Sequence, residues 1–165
     1  MRYVIFDLDM TLVNSGVAEE ARKRRAWGEV YALIPQFRLY DGIPSVMEYI
    51  RRNGIRVCIV SSSPHAYIQR VVEHFKLPVD HIVGYHDAPE IKPSPAPMIE
   101  AIRLLGCNPY EVVTFGDRAI DITASRRAGI KAVACTWGTS ESALLLSSGH
   151  NGLISRPEEM INFFR

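Results

Sequence analysis

Three times in this chain a helix-like stretch stops at a glycine and gives way to a short, almost wholly apolar run. Gly54 precedes Ile55–Val60, Gly106 closes a stretch leading to Val112–Phe115, and Gly129 precedes Ile130–Cys135. Glycine just past a helix takes the left-handed conformation that turns the chain back. The runs Ile-Arg-Val-Cys-Ile-Val, Val-Val-Thr-Phe and Lys-Ala-Val-Ala-Cys do not alternate cleanly between apolar and polar residues. That is the pattern of strands covered by helices on both faces. Helices are predicted over Pro44–Asn53, Pro95–Leu105 and Ala119–Ala128, with a final one over Pro157–Phe164. Further strands are predicted at the apolar run beginning with Val4, near His81–Gly84 and at Gly152–Ser155. Strands and helices in this alternation, joined by right-handed crossovers, give an α/β fold with a doubly wound, mostly parallel, Rossmann-like sheet.

The length of 165 residues suits one domain, and residues 1–165 are read as a single unit. One segment breaks the rhythm. Asn14–Leu39 separates the first strand from the first regular helix and carries Arg22-Lys23-Arg24-Arg25, Trp27 and Tyr31. It is predicted to be one amphipathic helix and a loop above the end of the first strand, too small for a domain of its own. The net charge is only +1, so there is no global electrostatic case for nucleic acid or a membrane surface. The basic run is accordingly read as a solvated helix face. Cys58, Cys107 and Cys135 have neither paired nor metal-ligand spacing, and Cys58 and Cys135 fall in strands, where small buried thiols are expected. Strand residues begin almost at Met1 and no apolar run is long enough to span a bilayer, so the expected location is a reducing cytoplasm.

In an open parallel sheet, ligands bind beyond the C-terminal strand ends. Four such places carry polar residues here. The first strand runs into Asp7-Leu8-Asp9, two carboxylates that alternation would put on one side. Such a pair repels itself and resists burial unless a cation or a reaction uses it. The next strand ends in Ser61-Ser62-Ser63-Pro64, a hydroxyl followed by N–H groups at a helix start, suited to an anion, with Ser63 as N-cap and Pro64 in the first turn. Lys92 lies shortly before another helix, and Gly116-Asp117-Arg118-Ala119-Ile120-Asp121 brings two acids four apart into a third. Taken together this is the equipment of phosphoryl transfer. One carboxylate attacks and forms an acyl phosphate, and another manages the proton of the leaving oxygen. A hard divalent cation, best magnesium, offsets the acids, while serine and lysine hold the phosphoryl oxygens.

The chain resembles the haloacid dehalogenase (HAD) superfamily, and within it the phosphoglycolate-phosphatase-like phosphohydrolases. The likeness rests on the Asp7-x-Asp9 run, Ser61, Lys92-Pro-x-Pro and Gly116-Asp-x-x-x-Asp121, all in order. Asp41-Gly-Ile-Pro44, Ala128-Gly-Ile-Lys-Ala-Val133 and Trp137-Gly138 add to it. By position, the resemblance implies a HAD-type fold with Asp7 as nucleophile. Asp9 is implied as general acid/base with its carbonyl on Mg2+, and Thr11 as a support of the loop around Asp9. Ser61 and the Ser62 N–H would hold the phosphoryl group, and Lys92 would neutralise it and the nucleophile. Asp117 would bind Mg2+ directly, and Asp121 would ligate it or position its water.

Three features depart from the family pattern. Met10 stands where glycine is usual, implying a tighter or differently angled loop. Arg118 replaces a small residue, placing a cation beside the metal site or outward. Asn14–Leu39 replaces a larger helical cap, implying an open site, a large substrate end, or a lid from a second copy of the chain. Asp9 favours phosphate esters over halides, since a halide leaves without a proton. The expectation is a magnesium-dependent phosphomonoester hydrolase acting on a small-molecule phosphate ester, without a membrane partner and with self-association open. A phosphorylated nucleic-acid end gripped by Arg22–Arg25, and a catalytically idle metal-binding interaction domain, are the alternatives.

Overall fold

The computed structural model of the protein describes residues 1–165. In chain order the strands are β1 (Tyr3–Phe6), β2 (Val13–Asn14), β3 (Arg38–Leu39), β4 (Arg56–Val60), β5 (His81–Val83), β6 (Val112–Gly116), β7 (Lys131–Cys135) and β8 (Gly152–Ile154). The helices are α1 (Glu19–Lys23), α2 (Trp27–Leu33), α3 (Ile43–Arg52), α4 (His65–Phe75), α5 (Ala96–Leu105), α6 (Ala119–Arg127) and α7 (Ser142–Leu146). Six strands form one sheet in the order β5-β4-β1-β6-β7-β8, and every pairing in it is parallel. The sheet therefore starts at its centre with β1 and winds outward in both directions. The crevice beside β1 is the place where such a sheet binds ligands.

Alternation along the central strands β1 and β4 feeds two separate cores. Val4 and Phe6 of β1, with Val57 and Ile59 of β4, pack in the larger core with residues of α3 and α4. Ile5, Cys58 and Val60 point the other way, into a core shared with Met98, Ala101 and Leu105 of α5 and with Ala124 of α6. This two-faced burial explains why the strands read as nearly continuous apolar runs. Cys58 and Cys135 are buried and Cys107 partly so, all three as free thiols. Gly106 sits in the left-handed conformation at the end of α5, as the glycine rule predicts. No helix is long and apolar enough to cross a membrane.

Two stretches differ from the sequence reading. Asn14–Leu39 is not one helix and a loop. It comprises a 3-10 turn (Gly16–Ala18), the short helices α1 and α2, and a second 3-10 turn (Ile34–Gln36). Its two ends are tied by the antiparallel β2–β3 pair, Val13 opposite Leu39 and Asn14 opposite Arg38. Arg25 takes a left-handed φ of 56°, which ends α1 before Trp27 begins α2. The last helix, Pro157–Phe163, is 3-10 rather than α, its apolar residues reaching back to the large core through Met160 and Phe164.

Candidate active site

β1 stops at Phe6, whose neighbours in register are Ile59 and Phe115. The Asp7 N–H still donates to the Phe115 carbonyl at 3.0 Å, so the first carboxylate projects from the sheet edge on anchored backbone. The chain then folds tightly. Leu12 N–H and Val13 N–H both donate to Leu8 O, at 3.0 and 3.2 Å, and Met10 N–H to Val13 O at 2.7 Å. Fully buried Leu8 and Leu12 pin this turn inward, leaving the acids toward the cavity. Met10 carries φ 64°, so it occupies the left-handed conformation that glycine would take without steric cost. The turn is held from outside by Trp137, whose indole N–H donates to Thr11 O at 2.9 Å. Gly138 lies so close that an added Cβ would stand 2.2 Å from the Met10 carbonyl oxygen.

Lys92 is the hub of the site. Its ammonium is buried and donates to Asp7 Oδ1 at 3.0 Å, Asp121 Oδ1 at 2.6 Å and Val60 O at 3.1 Å. Three protons meet three acceptors. Asp121 is fixed further by the Arg118 backbone N–H, 3.0 Å from its Oδ2. It rests against Gly116, where an added Cβ would come within 2.5 Å of the Asp121 Cβ. Buried Thr11 donates through its hydroxyl to Asp117 Oδ1 at 3.1 Å, so it supports the second pair of acids as well as its own turn. Asp7, Asp117 and Asp121 each present an oxygen within 4.8 Å of the others. Close oxygen donors of this kind suit a hard divalent cation.

Burial raises the Asp7 carboxyl to about 6, and Asp121 pushes it up while Lys92 pulls it down. Burial, then Asp7 and Asp121, raise Asp117 to about 9. Burial works against the Lys92 charge, but Asp121 and Asp7 outweigh it and the ammonium is held above its ordinary value. Crowding of the acids thus favours protonation within the cluster, which a cation would oppose.

Ser61 contributes differently from a helix cap. Its N–H bonds to Val83 O at 3.0 Å and its Oγ accepts the Ser63 N–H at 3.1 Å, which shapes the loop after β4. The Ser62 N–H has no acceptor within the chain and lies on the cavity wall. The expected Ser63 cap is replaced by Pro64 at the N-cap with an extended ψ of 145°. Ser63 is instead committed to the loop after β5, its carbonyl accepting the Tyr85 N–H at 2.9 Å.

Asp7, Asp9, Ser61, Ser62, Lys92, Asp117 and Asp121 all line one cavity of about 770 Å³. Asp9, however, stands apart from the three-carboxylate cluster. Its Oδ1 accepts Ser15 Oγ–H at 2.6 Å and Tyr67 O–H at 2.6 Å, and Arg22 Nη1 is paired with the same oxygen at 2.8 Å. This corrects the reading of Arg22–Arg25 as a uniformly solvated face. Lys23 and Arg24 are exposed and paired with glutamates of α1 and α2, but Arg22 is only 14% exposed and points inward to Asp9. The break at Arg25 and the shortness of α1 turn that residue toward the core. Arg118 is half exposed, its guanidinium 3.9 Å from Glu141, and both residues line the same cavity. Ser15 and Tyr67 were not singled out by sequence reasoning, and Arg22 was read only as one of the basic run, never as a partner of Asp9. Their only signal there is position, since two fall in the inserted segment and one in the helix after Ser61.

The pattern of one family matches residues 17–135, described as haloacid dehalogenase-like hydrolase. The chain belongs to that family. The match begins past Asp7 and Asp9 and takes in Ser61, Lys92, Asp117 and Asp121. Phosphoglycolate phosphatase of Aquifex aeolicus is 30% identical over 124 residues, which are 74% of this chain and 57% of that protein. Phosphoglycolate phosphatase 1 of Pseudomonas aeruginosa is 24% identical over 136 residues, 78% of this chain and 49% of that one. The chain thus spans about half the length of the curated relatives it matches. Among solved structures, a phosphoglycolate phosphatase predicted in Haemophilus somnus 129PT superposes with a TM-score of 0.87 at 20% identity, covering 100% of this chain and 98% of that one. CbbY of Rhodobacter sphaeroides, solved with phosphate, gives 0.83 at 19% identity, covering 97% and 96%. These establish the HAD-type fold.

Proposed function

We propose that this HAD-family protein is a magnesium-dependent phosphomonoester hydrolase that works through an aspartyl-phosphate on Asp7. The observation that carries the reading is the Lys92 ammonium between Asp7 and Asp121, inside three convergent carboxylates that face an open cavity. A structural ion pair needs one acid per lysine; three acids with one cation leave a charge deficit that a divalent ion fits. Asp7, Asp117 and Asp121, with the Asp9 carbonyl, would hold Mg2+, which supplies charge neutralisation for the phosphoryl oxygens.

An Asp7 carboxylate oxygen attacks phosphorus; the new O–P bond forms as the ester P–O bond breaks. The departing oxygen takes the proton of the Asp9 carboxyl. Asp9, now ionised, accepts a proton from water as that water attacks the phosphorus, releasing inorganic phosphate and restoring Asp7. Lys92 offsets the charge on Asp7 and on the phosphoryl group throughout, while Ser61 and the Ser62 N–H hold its outer oxygens. A small-molecule phosphate ester is the substrate class, in line with the phosphatase names of the relatives. The nucleic-acid-end alternative loses Arg22, which is committed to Asp9.

The test is phosphate release across sugar phosphates, nucleotides, phosphoglycolate and phosphorylated oligonucleotide ends, with and without Mg2+. Turnover that depends on Mg2+ and disappears in Asp7→Asn is expected. Retained turnover in that variant would overturn the covalent route. A folded wild type inactive on the whole panel would favour an idle binding domain.

A further inference from the structure

The carboxylate of Asp9 is held in an unusual way. Two hydroxyl donors and the guanidinium of an ion pair all meet the same oxygen, Oδ1, and no hydrogen-bond donor in the chain reaches Oδ2. The three come from separate elements: Ser15 from the turn after β2, Arg22 from α1, and Tyr67 from α4 of the main fold. Tyr67 is fully buried, with the rings of Trp27 and Phe37 at centroid distances of 5.5 and 6.5 Å, so its hydroxyl cannot swing away. Arg22 is nearly as constrained. Its Nε is buried without a partner, so Asp9 is the group that makes burial of this guanidinium tolerable. Donors from three elements fix a carboxylate in rotation as well as position, which a single ion pair does not.

We propose that Tyr67, Arg22 and Ser15 are positioning residues that seat Asp9 by Oδ1 and leave Oδ2 as the oxygen that passes the proton to the leaving group. The inference rests on the phosphomonoesterase reading above. The shortened insertion then does more than cover the strand end, because two of the three donors that aim the general acid belong to it. In water the two oxygens of a carboxylate are equivalent; here one is an anchor, and the other is left unpartnered but accessible on a residue that lines the cavity shared with Asp7.

The test compares 4-nitrophenyl phosphate with phenyl phosphate, two substrates of nearly the same shape. Nitrophenolate leaves readily without a proton, whereas phenolate depends on one. The quantity read is kcat/KM, which covers the steps through departure of the leaving group. In Tyr67→Phe and Arg22→Met, the ratio of the two kcat/KM values should widen over wild type by roughly tenfold or more, a part of what a general acid supplies. Combined with Asp9→Asn, neither substitution should widen it further, since residues acting through one group are not additive. Equal losses on both substrates, or no loss, would overturn the inference and show a merely structural seat. Should Tyr67→Phe fail to fold, Arg22→Met decides alone. A wild type inactive on 4-nitrophenyl phosphate with Mg2+ would bring down the phosphomonoesterase reading, and the seat would fall with it.

Discussion

Replacing Lys92 with methionine isolates the electrostatic core of the site. Methionine fills similar space, so the main loss is the ammonium between Asp7, Asp121 and the Val60 carbonyl. Breaking a buried pair by removing one partner costs about 3–5 kcal/mol, because the other charge is left without compensation. In a protein of this size that corresponds to a fall of roughly 6–20 °C in Tm. The loss should depend on pH in a definite direction. Asp7 and Asp117 have folded-state values of about 6 and about 9, above the ordinary 3.8. An acid raised on folding adds stability while protonated, and that stability is lost as pH rises through the folded value. Without Lys92 the one cation pulling Asp7 downward is gone. The Asp7 part of the deficit against wild type should therefore be smaller at about pH 5 than at about pH 8. Millimolar Mg2+ should shrink it at the higher pH by standing in for the lost charge. Calorimetric melts of both proteins at the two pH values, with and without Mg2+, measure this. A deficit indifferent to pH and to magnesium would mean that Lys92 acts through packing, and the charge argument would be refuted.

Because burial and the neighbouring acids raise Asp117, Mg2+ should bind with proton release at neutral pH, and more weakly as pH falls; titration calorimetry in buffers of different ionisation enthalpy measures that release. Gly116→Ala should drive Asp121 off the cluster, since the Cβ atoms would meet at 2.5 Å and neither can rotate away. Its Mg2+ affinity should drop at least tenfold, about 1.4 kcal/mol, while the far-UV spectrum is kept. Asp7→Asn should lose essentially all turnover with little loss of stability, since it removes a carboxylate that burial disfavours while Lys92 keeps Asp121 as its ionic partner; a melt beside a phosphate-release assay shows both.

The main sheet was legible because its strands obey a simple physical rule. Buried on two faces, Val57–Val60 and Ala132–Cys135 need no polar alternation, and glycines mark where α3, α5 and α6 end. Residues at strand ends were legible for the same reason, so Asp7, Ser61 and Asp117 could be named before their neighbours were known, and Lys92 by its place ahead of α5. The insertion was not. Its helices are five and seven residues long, too short for a periodicity to declare itself, and the break between them depends on one left-handed residue, Arg25. Arg22 lies in a run of four cations that look alike in sequence, and only the fold turns one of them inward. Tyr67 was hidden by chemistry of its own: a buried tyrosine on an apolar helix face reads as core, and its hydroxyl finds Asp9 only because Trp27 and Phe37 orient the ring. Met10 shows the reverse. Its departure from glycine was visible, while the conformation it accepts became clear only with φ at 64°.

The two-residue ribbon at the foot of the insertion has a consequence for how such chains can vary. Joining Val13 to Leu39 and Asn14 to Arg38 closes the segment at its base, so the sheet is insulated from whatever lies between. Lengthening a loop whose ends are already joined costs only about 0.6 kcal/mol per doubling. The ribbon is thus a socket into which larger or smaller pieces could be exchanged without unsettling the strands below. Exchange has one boundary condition here. Ser15 and Arg22 lie above the socket and their carboxylate partner below it, so a transplanted segment that folds well would still leave Asp9 held from the main fold by Tyr67 alone.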